Sequence, residues 1–498
     1  GVETWTTIFA VAESPRAKGL IWVGSDDGLV HVTRDGGTSW TNVTSKIGGI
    51  PRDGTVSLIE PSPHDAGTAY VVVDAHRLDD MKPYLFKTTD FGQTWRRLDS
   101  GLAQDVYLHA VREDPKRRGL LYLGTERGVM MSADDGKTWL ALKLNMPAAV
   151  PVHDLVVKDD DLVVGTHGRS IWVLDDLQPI REFSPAIGSQ PAHLFAPAPA
   201  VRWTYESGNR ERPSGQNPPR GALIHYWLKD ELKTPLTIEI ADASGRVIRT
   251  LSSEPKPWDG VDDFEPDEKP EPAVSTGAGV RRAVWDLAHE GAEVIRGAKI
   301  DWGNPTRGPL AVPGAYTVRL RGQGIDLSQP LVVKNDPRST ATEADLGAQL
   351  AMALQVRDSF SRLTRIVEGL RSVRAQLESR AGALKTQPNA ADLVKAIADA
   401  VAKVNELEAR MHNPTAEVTY DILAMRGGTR LYSRISPLIG FASGGDGMPT
   451  QGMREVFAAQ KKELDAFEAE ANAIYARDVA AINALAAKLG LSFVTVPR

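Results

Sequence analysis

Acidic, basic and histidine side chains recur in four short loops in the first third of the chain, and each loop follows a strand-like apolar segment. The loops are Ser25–Gly28, Asp74–Pro83, Thr125–Gly128 and Thr166–Arg169. Such groups can bind polar ligands or transfer protons. Together with two strand histidines, the loops supply the candidate ligand-binding residues Asp26, Asp27, His76, Arg77, Arg127, His153, His167 and Arg169, with His109 beside them.

Four carboxylates among these segments are candidate catalytic residues: Asp79, Asp80, Glu126 and Asp154. A glycoside hydrolase needs two carboxyl groups about 5–9.5 Å apart, one as acid and one as nucleophile or base. The alternative is that these residues are polar turn residues that end strands. No Gly-x-Ser-x-Gly motif and no zinc-ligand spacing occur, so we expect neither a serine nucleophile nor a metal or other cofactor.

Composition narrows the class of protein. The 498 residues include no cysteine, which excludes disulfides, thiolate metal sites and a thiol nucleophile. The 58 basic and 64 acidic residues give a net charge of −6, so we expect no nucleic-acid surface. No run of about 18 apolar residues occurs, and no membrane span is expected. The length predicts about three domains.

A turn motif of the form [ST]-x-D-x-G-x-[ST]-W occurs three times, at Thr33–Trp40, Thr88–Trp95 and Ser132–Trp139. A fourth unit, ending at Asp175-Asp176, lacks the Gly-x-x-Trp half. The aspartates Asp35, Asp90, Asp134 and Asp175 are 55, 44 and 41 residues apart. Two short apolar segments precede each turn, and β-rich units of this length are typical of a β-propeller.

The motif resembles the Asp-box, or BNR repeat, of sialidases, sortilin-like propellers and xyloglucan-hydrolysing propellers. The resemblance implies a partial β-propeller of about four blades over residues 1–180. In such propellers the box lies on the face away from the active site, so Asp35, Asp90 and Asp134 are expected to be structural. The strand 2–3 loops should then converge on the opposite rim. Because four blades rarely close a disc, we expect companion blades from the same precursor or another chain.

The rest of the chain changes character twice. Residues 181–221, rich in Pro, Gly and Ser, are predicted to be a linker with an early strand. Residues 222–336 contain about six alternating strands, which indicate an Ig-like β-sandwich. Its acidic, Pro-rich insertion 254–279 is expected to be solvated, with a calcium-binding loop as the alternative. Residues 337–498 predict an antiparallel helical bundle, with its third helix at Val418–Ile435 and a loop at 440–447.

The whole order resembles a bacterial family of long secreted proteins with sortilin-like BNR propellers, often named "glycosyl hydrolase". The segments Gly165–Asp176, Gly308–Gly314 and Asn335–Arg338 and the Trp285-Asp286 strand carry this resemblance. It implies a secreted or periplasmic protein and covers the C-terminal half of such a protein. Three functions stay open: binding of a glycan or peptide on the charged rim, polysaccharide hydrolysis at a site shared with missing blades, and assembly through the helices with a partner or a second copy.

Overall fold

The computed structural model describes residues 6–143, 145–203, 215, 217–257, 272–384, 387–423, 427–492 and 494–496. The chain divides into two compact units, Gly1–Ser184 and Pro185–Arg498. The first is built from β-sheets, and the second from β-sheets followed by helices, so the predicted order of β and then α structure is confirmed. In the part of the chain that the structure describes, no helix is both long and apolar enough to cross a bilayer.

Four consecutive antiparallel sheets make up the first unit, and within each sheet the strands pair in chain order. Sheets one to three have four strands, and sheet four has three. The strands are β1 (Ile8–Glu13), β2 (Ile21–Ser25), β3 (Val30–Thr33) and β4 (Thr41–Asn42); β5 (Thr55–Pro61), β6 (Ala69–Asp74), β7 (Leu85–Thr88) and β8 (Arg96–Arg97); β9 (Leu108–Glu113), β10 (Leu121–Thr125), β11 (Gly128–Ser132) and β12 (Leu140–Ala141); and β13 (Val152–Lys158), β14 (Asp161–Thr166) and β15 (Ile171–Leu174).

The first strands β1, β5, β9 and β13 contact one another in that order, and each of β5, β9 and β13 also contacts the second strand of the sheet before it. Apolar residues from neighbouring sheets share cores at these contacts. All residues of β10 and all but the last residue of β6 are buried. A helix, α1 (Gln178–Glu182), closes the unit.

Each of the three motif turns, called the Asp turns below, has the same internal hydrogen bonds. In the second, Asp90 accepts a bond from the Thr88 hydroxyl at 2.9 Å and bonds from the backbone N–H and hydroxyl of Thr94 at 2.8 and 2.6 Å. Asp35 and Asp134 make the equivalent bonds. All oxygens of the aspartate are thus used to fold the turn, which is the structural role expected for it.

The Asp turns of sheets two and three pack against the sheet that precedes each of them. The Trp95 ring meets Trp22 of sheet one edge to face, with centroids 6.1 Å apart. Trp139 donates its indole N–H to the carbonyl of Leu98 in sheet two at 2.8 Å. Trp40 of the first Asp turn is 45% exposed. Trp95 also donates its indole N–H to the Gly92 carbonyl of its own turn at 3.1 Å, so this ring contacts both its turn and the preceding sheet.

Two sheets around one core begin the second unit. One has the order β16–β18–β21 and the other β17–β25–β24–β19–β20, and a two-stranded pair, β22–β23, lies beside them. The elements are α2 (Pro185–Ser189), β16 (Ala192–Leu194), β17 (Ala200–Arg202), β18 (Ala222–Leu228), β19 (Thr237–Ala241), β20 (Val247–Ser252), β21 (Gly279–Trp285), β22 (Ala288–Glu290), β23 (Arg307–Leu310), β24 (Gly314–Gly322) and β25 (Ile325–Asn335).

Part of the predicted linker is therefore integral to this sheet structure. β16 pairs with β18, and β17 runs parallel to β25, although both strands lie in the 181–221 segment that sequence composition marked as a linker. Pro and Gly content reports local backbone preference, while pairing depends on a partner strand far along the chain. Residues 258–271, which hold most of the acidic insertion and its calcium alternative, lie outside the described residues.

The helices pack mainly on one long helix. They are α3 (Glu343–Leu384), α4 (Ala391–Met411), α5 (Thr419–Leu423), α6 (Leu431–Ser443), α7 (Gln451–Ala473) and α8 (Ala480–Lys488), with a π-helical turn at Ile474–Val479. Thr342 and Asp345 form a capping box at the start of α3. The predicted helix at Val418–Ile435 and loop at 440–447 need correction, because α6 extends through Pro437 to Ser443. Most of its apolar side chains are buried, and Phe441 is exposed.

Candidate functional site

The candidate site lies where the strand 2–3 loops meet the segments that lead into the first strands. In three sheets, a backbone N–H of the loop donates a hydrogen bond to a carbonyl of the segment that leads into the first strand. The bonds are Asp26 to Thr7 at 3.0 Å, Glu126 to Tyr107 at 3.2 Å and His167 to Pro151 at 2.9 Å. The loop of sheet two is longer and contains a helical turn at His76–Leu78. This repeated bond places the loop side chains beside the start of the first strand.

A row of five rings crosses sheets two, three and four at this edge. His76 stacks on Tyr107, with centroids 4.6 Å apart and planes at 19°. Tyr107 meets His109 edge to face at 5.2 Å. His109 is 4.2 Å from His153, and His153 is 4.8 Å from His167. The row thus gathers four of the ten histidines of the chain. We call these five residues the ring row.

One carboxylate anchors the middle of the row. The Glu126 Oε2 lies 3.0 Å from the Nε2 of His109. Burial opposes ionisation of this carboxyl, but hydrogen bonds from His109 and Tyr107 outweigh it and lower the pKa of Glu126. Burial and the bond to Glu126 raise the pKa of Tyr107 to about 12. The group at the centre is therefore a carboxylate at neutral pH, held by two ring donors.

The two ends of the row differ in their support. At one end the Nδ1 of His76 lies 2.7 and 2.8 Å from the two oxygens of Asp74, so the carboxylate fixes the ring and leaves Nε2 open. At the other end His153 and His167 are exposed. Desolvation, and then the neighbouring imidazoles His109 and His167, lower the pKa of His153. The neutral imidazole of His153 can accept a hydrogen bond or bind a metal ion.

Three of these groups also satisfy the proximity that a metal site requires. One ligand atom each from His109, Glu126 and His153 lies within 4.8 Å of the others. The residues are 17 and 27 positions apart in sequence and come from two sheets, so no linear spacing could reveal them. The expectation of no metal rested on that spacing alone.

The other predicted site residues lie elsewhere in the loops. Asp26 accepts the backbone N–H of Thr7, and Asp27 bonds Ser25 within its own turn. The Asp80 carboxylate accepts the Tyr84 hydroxyl at 2.6 Å, which lowers the pKa of Asp80. The remaining members are exposed: Arg77, Asp79, Arg127, which pairs with Asp105 at 2.7 Å, Asp154 and Arg169.

The candidate carboxylate Asp154 belongs to a separate ion network along the first strands. Arg112 on β9 donates to Asp154 of β13 at 2.9 Å and to Glu60 of β5 at 2.8 Å. Burial raises the pKa of Glu60 to about 7, even though Arg112 acts to lower it. Glu60 and Arg112 border a cavity of about 590 Å³ between the first strands.

Sequence reasoning missed four residues that the fold brings to these sites: Asp74, Tyr107, Glu60 and Arg112. All lie at strand ends or on first strands, and only the alternation of strand residues could have indicated them. His109 and His153 were identified because their strands were recognised. What the sequence could not supply was the pairing of neighbouring sheets, which turns separate histidines into a row.

Comparisons with known proteins give distant likenesses. No protein-family model matches the chain, and no curated protein matches it by sequence. Among solved structures, "YCF48 bound to D1 peptide" is 19% identical, with a TM-score of 0.26, over 35% of this chain and 53% of that one. The Niastella koreensis GH74 enzyme is 12% identical, with a TM-score of 0.27, over 67% and 54%.

A third likeness is to the extracellular domain of a putative hybrid two component system, BT4673, of B. thetaiotaomicron. It is 11% identical, with a TM-score of 0.27, over 66% of this chain and 45% of that one. This chain thus spans about half the length of the structures it matches. At such scores these likenesses assign no activity to it.

Proposed function

We propose that this protein is a secreted or periplasmic binding protein whose ring row captures a peptide or a glycan. The observation that carries the proposal is the row itself: five rings from three sheets in contact along one loop edge. The exposed rings of His153 and His167 at one end offer apolar faces to a ligand, and their imidazole nitrogens offer donors and acceptors to ligand oxygens. Exposed Arg77 and Arg169 in the adjoining loops would add charge-assisted bonds.

The test is a glycan array and a peptide array probed with the chain and with variants of the exposed end. We expect His153→Ala and His167→Ala each to weaken binding of the best ligand at least tenfold. His31→Ala is the matched control, because His31 lies on β3 of sheet one, outside the ring row. Binding that is unchanged in both ring-row variants would exclude this site.

We further propose that the four sheets are blades of a larger propeller, with an Ig-like sandwich and helices following. Support comes from packing: the Asp turns of sheets two and three each rest on the preceding sheet, while Trp40 of sheet one is exposed. Phe9 and Val11 on β1 are 62% and 66% exposed. A further sheet of the same kind before β1 would cover all three, as sheet one covers Trp95.

The second candidate function is glycoside hydrolysis, and one observation favours it. A carboxyl that holds its proton near neutral pH is what a general acid needs, and Glu60 has this property beside a cavity. Arg112 bridges it to Asp154, which would act as nucleophile or base. By contrast, the pKa values of Asp80 and Glu126 are lowered, so neither carboxyl is suited to donate a proton.

A polysaccharide hydrolysis screen tests this candidate. If hydrolysis is found, Glu60→Gln should reduce it by at least 10³-fold, as should Asp154→Asn. Asp159→Asn serves as the control, because this exposed carboxylate pairs with Lys158 and lies outside the network. Hydrolysis that survives both network substitutions would assign catalysis to another place.

A further inference from the structure

We infer that His109, Glu126 and His153 bind a single divalent first-row transition-metal ion, with Zn²⁺ as the best fit. The inference deepens the proposed binding function and rests on it for its biological meaning, since the ion would hold a ligand oxygen at the rim. It also stands on its own geometry, because the three ligand atoms already lie within 4.8 Å of one another.

The ligand set selects the class of ion. Two imidazole nitrogens and one carboxylate oxygen suit zinc and its neighbours, whereas calcium and magnesium take oxygen ligands. Zinc–ligand bonds of about 2.0–2.2 Å set tetrahedral ligand atoms roughly 3.3–3.6 Å apart. His109 Nε2 and Glu126 Oε2 are 3.0 Å apart, so the distance along that edge needs little change. The ion would replace the hydrogen bond between these two atoms, and the His109 proton would lie on Nδ1. The exposed His153 can complete the site by a small side-chain rotation.

The surroundings resemble the support that metal ligands receive in proteins. Tyr107 hydrogen-bonds Glu126, and His76, itself bound to Asp74, stacks on Tyr107. Such outer partners orient ligands and commonly matter ten- to a hundredfold for affinity. The His153 ring lies 4.8 Å from His167, which places a fourth imidazole beside the site.

The arrangement also leaves room for an external ligand. Three protein ligands with one open position are typical of zinc sites that bind water or substrate. His109 and Glu126 are half-buried and His153 is exposed, so the open position faces the rim. A carboxylate or hydroxyl of a bound peptide or glycan would occupy it. This assigns to the ring row a ligand chemistry that stacking alone does not provide.

The experiment is a calorimetric titration of the untagged, chelator-treated chain with Zn²⁺, followed by the visible absorption of the Co²⁺ form. The absence of cysteine means that no thiolate competes. We expect one ion per chain and a Co²⁺ spectrum of nitrogen and oxygen ligation. His153→Asn and Glu126→Gln should each lower Zn²⁺ affinity at least tenfold, and His109→Asn with His153→Asn should abolish binding. His31→Asn is the control and should leave it unchanged.

The result that overturns the inference is an absence of Zn²⁺ binding, or binding equal in the chain and in the His153→Asn and Glu126→Gln variants. Both are surface-accessible substitutions, and thermal unfolding followed by circular dichroism verifies that they fold. Repeating the glycan and peptide arrays with and without chelator separates the two proposals. Ligand capture without metal binding overturns only the metal site, whereas metal binding without any captured ligand overturns only the proposed capture of a peptide or glycan.

Discussion

Sheets one and three of the first unit are built from the same repeat, yet their surfaces differ. In sheet three, Leu108, Ala110 and Val111 of β9 are fully buried between neighbours. In sheet one, the corresponding strand β1 leaves Ile8, Phe9 and Val11 about 60% exposed. A first strand of this repeat therefore has all its apolar side chains buried only when a sheet packs on each of its two sides. Sheet three has both neighbours, and sheet one has only the one that follows it among the described residues.

The same contrast separates the tryptophans of the first and third Asp turns. Trp139 is buried and bonded to Leu98, whereas Trp40 is 45% exposed. We expect Trp139→Ala to lower the free energy of unfolding by about 3–5 kcal/mol, as for large buried aromatics. Trp40→Ala should cost less than about 1 kcal/mol, because little packing is lost.

Urea denaturation followed by circular dichroism measures both variants in parallel. The comparison fails if the two substitutions cost the same. Equal and large costs would mean that Trp40 packs on something in the isolated chain, and equal small costs would mean that Trp139 contributes little.

The glycines of the first and third Asp turns differ in the same way as their tryptophans. Gly136 and Gly37 both adopt positive φ, +77° and +96°, so alanine is strained by about 1 kcal/mol at either position. A Cβ on Gly136 would lie 3.0 Å from the Leu98 side chain of the preceding sheet, whereas on Gly37 the nearest atom is 3.8 Å away, in Trp40. Gly136→Ala should therefore cost about 2–3 kcal/mol and Gly37→Ala about 1. Thermal unfolding of the two variants, side by side, checks the order; a reversed order would contradict it.

Exposure of Trp40 provides a test of whether a preceding sheet exists in the protein as its gene encodes it. Hydroxyl-radical footprinting with mass spectrometry should modify Trp40 several-fold more slowly in the full-length gene product than in this chain. Trp302, which is 67% exposed in the second unit, is the internal reference. Equal rates at Trp40 in the two samples would exclude a covering sheet that comes from the same precursor.

The smallest expected effect concerns the hydrogen bonds to Asp35, which the exposed first Asp turn retains. Hydrogen bonds from Ser39 and Thr33 lower the pKa of Asp35 from 3.8 to about 2, although among the described residues no sheet precedes this turn. Because the folded-state pKa is depressed, the turn contributes stability above pH 3.8 and loses it as the pH falls towards 2. A carboxyl-carbon NMR titration should place the Asp35 midpoint near 2, and Ser39→Ala should raise it. A midpoint near 3.8 in the unmodified chain would contradict this.

Local sequence patterns predicted much of this architecture. The threefold motif located the turns around Asp35, Asp90 and Asp134, since each turn is closed by residues no more than four positions from its aspartate. Alternation and three/four periodicity likewise separated the β-rich part from the helices, and the last tryptophan, Trp302, precedes the helices. The boundaries that failed, at β16, β17 and α6, depend on distant partners.

Strand and turn patterns along the chain were enough to place His76, His109, His153 and His167 on strands or in the loops that follow them. Sheet packing was needed to place these histidines in one row with Tyr107, to bring Glu126 within 4.8 Å of His109 and His153, and to let Glu60 share Arg112 with Asp154. The interactions involved differ in how far apart along the chain their partners lie. Turn chemistry and periodicity act over a few residues, whereas a site shared by neighbouring sheets forms only when their cores pack.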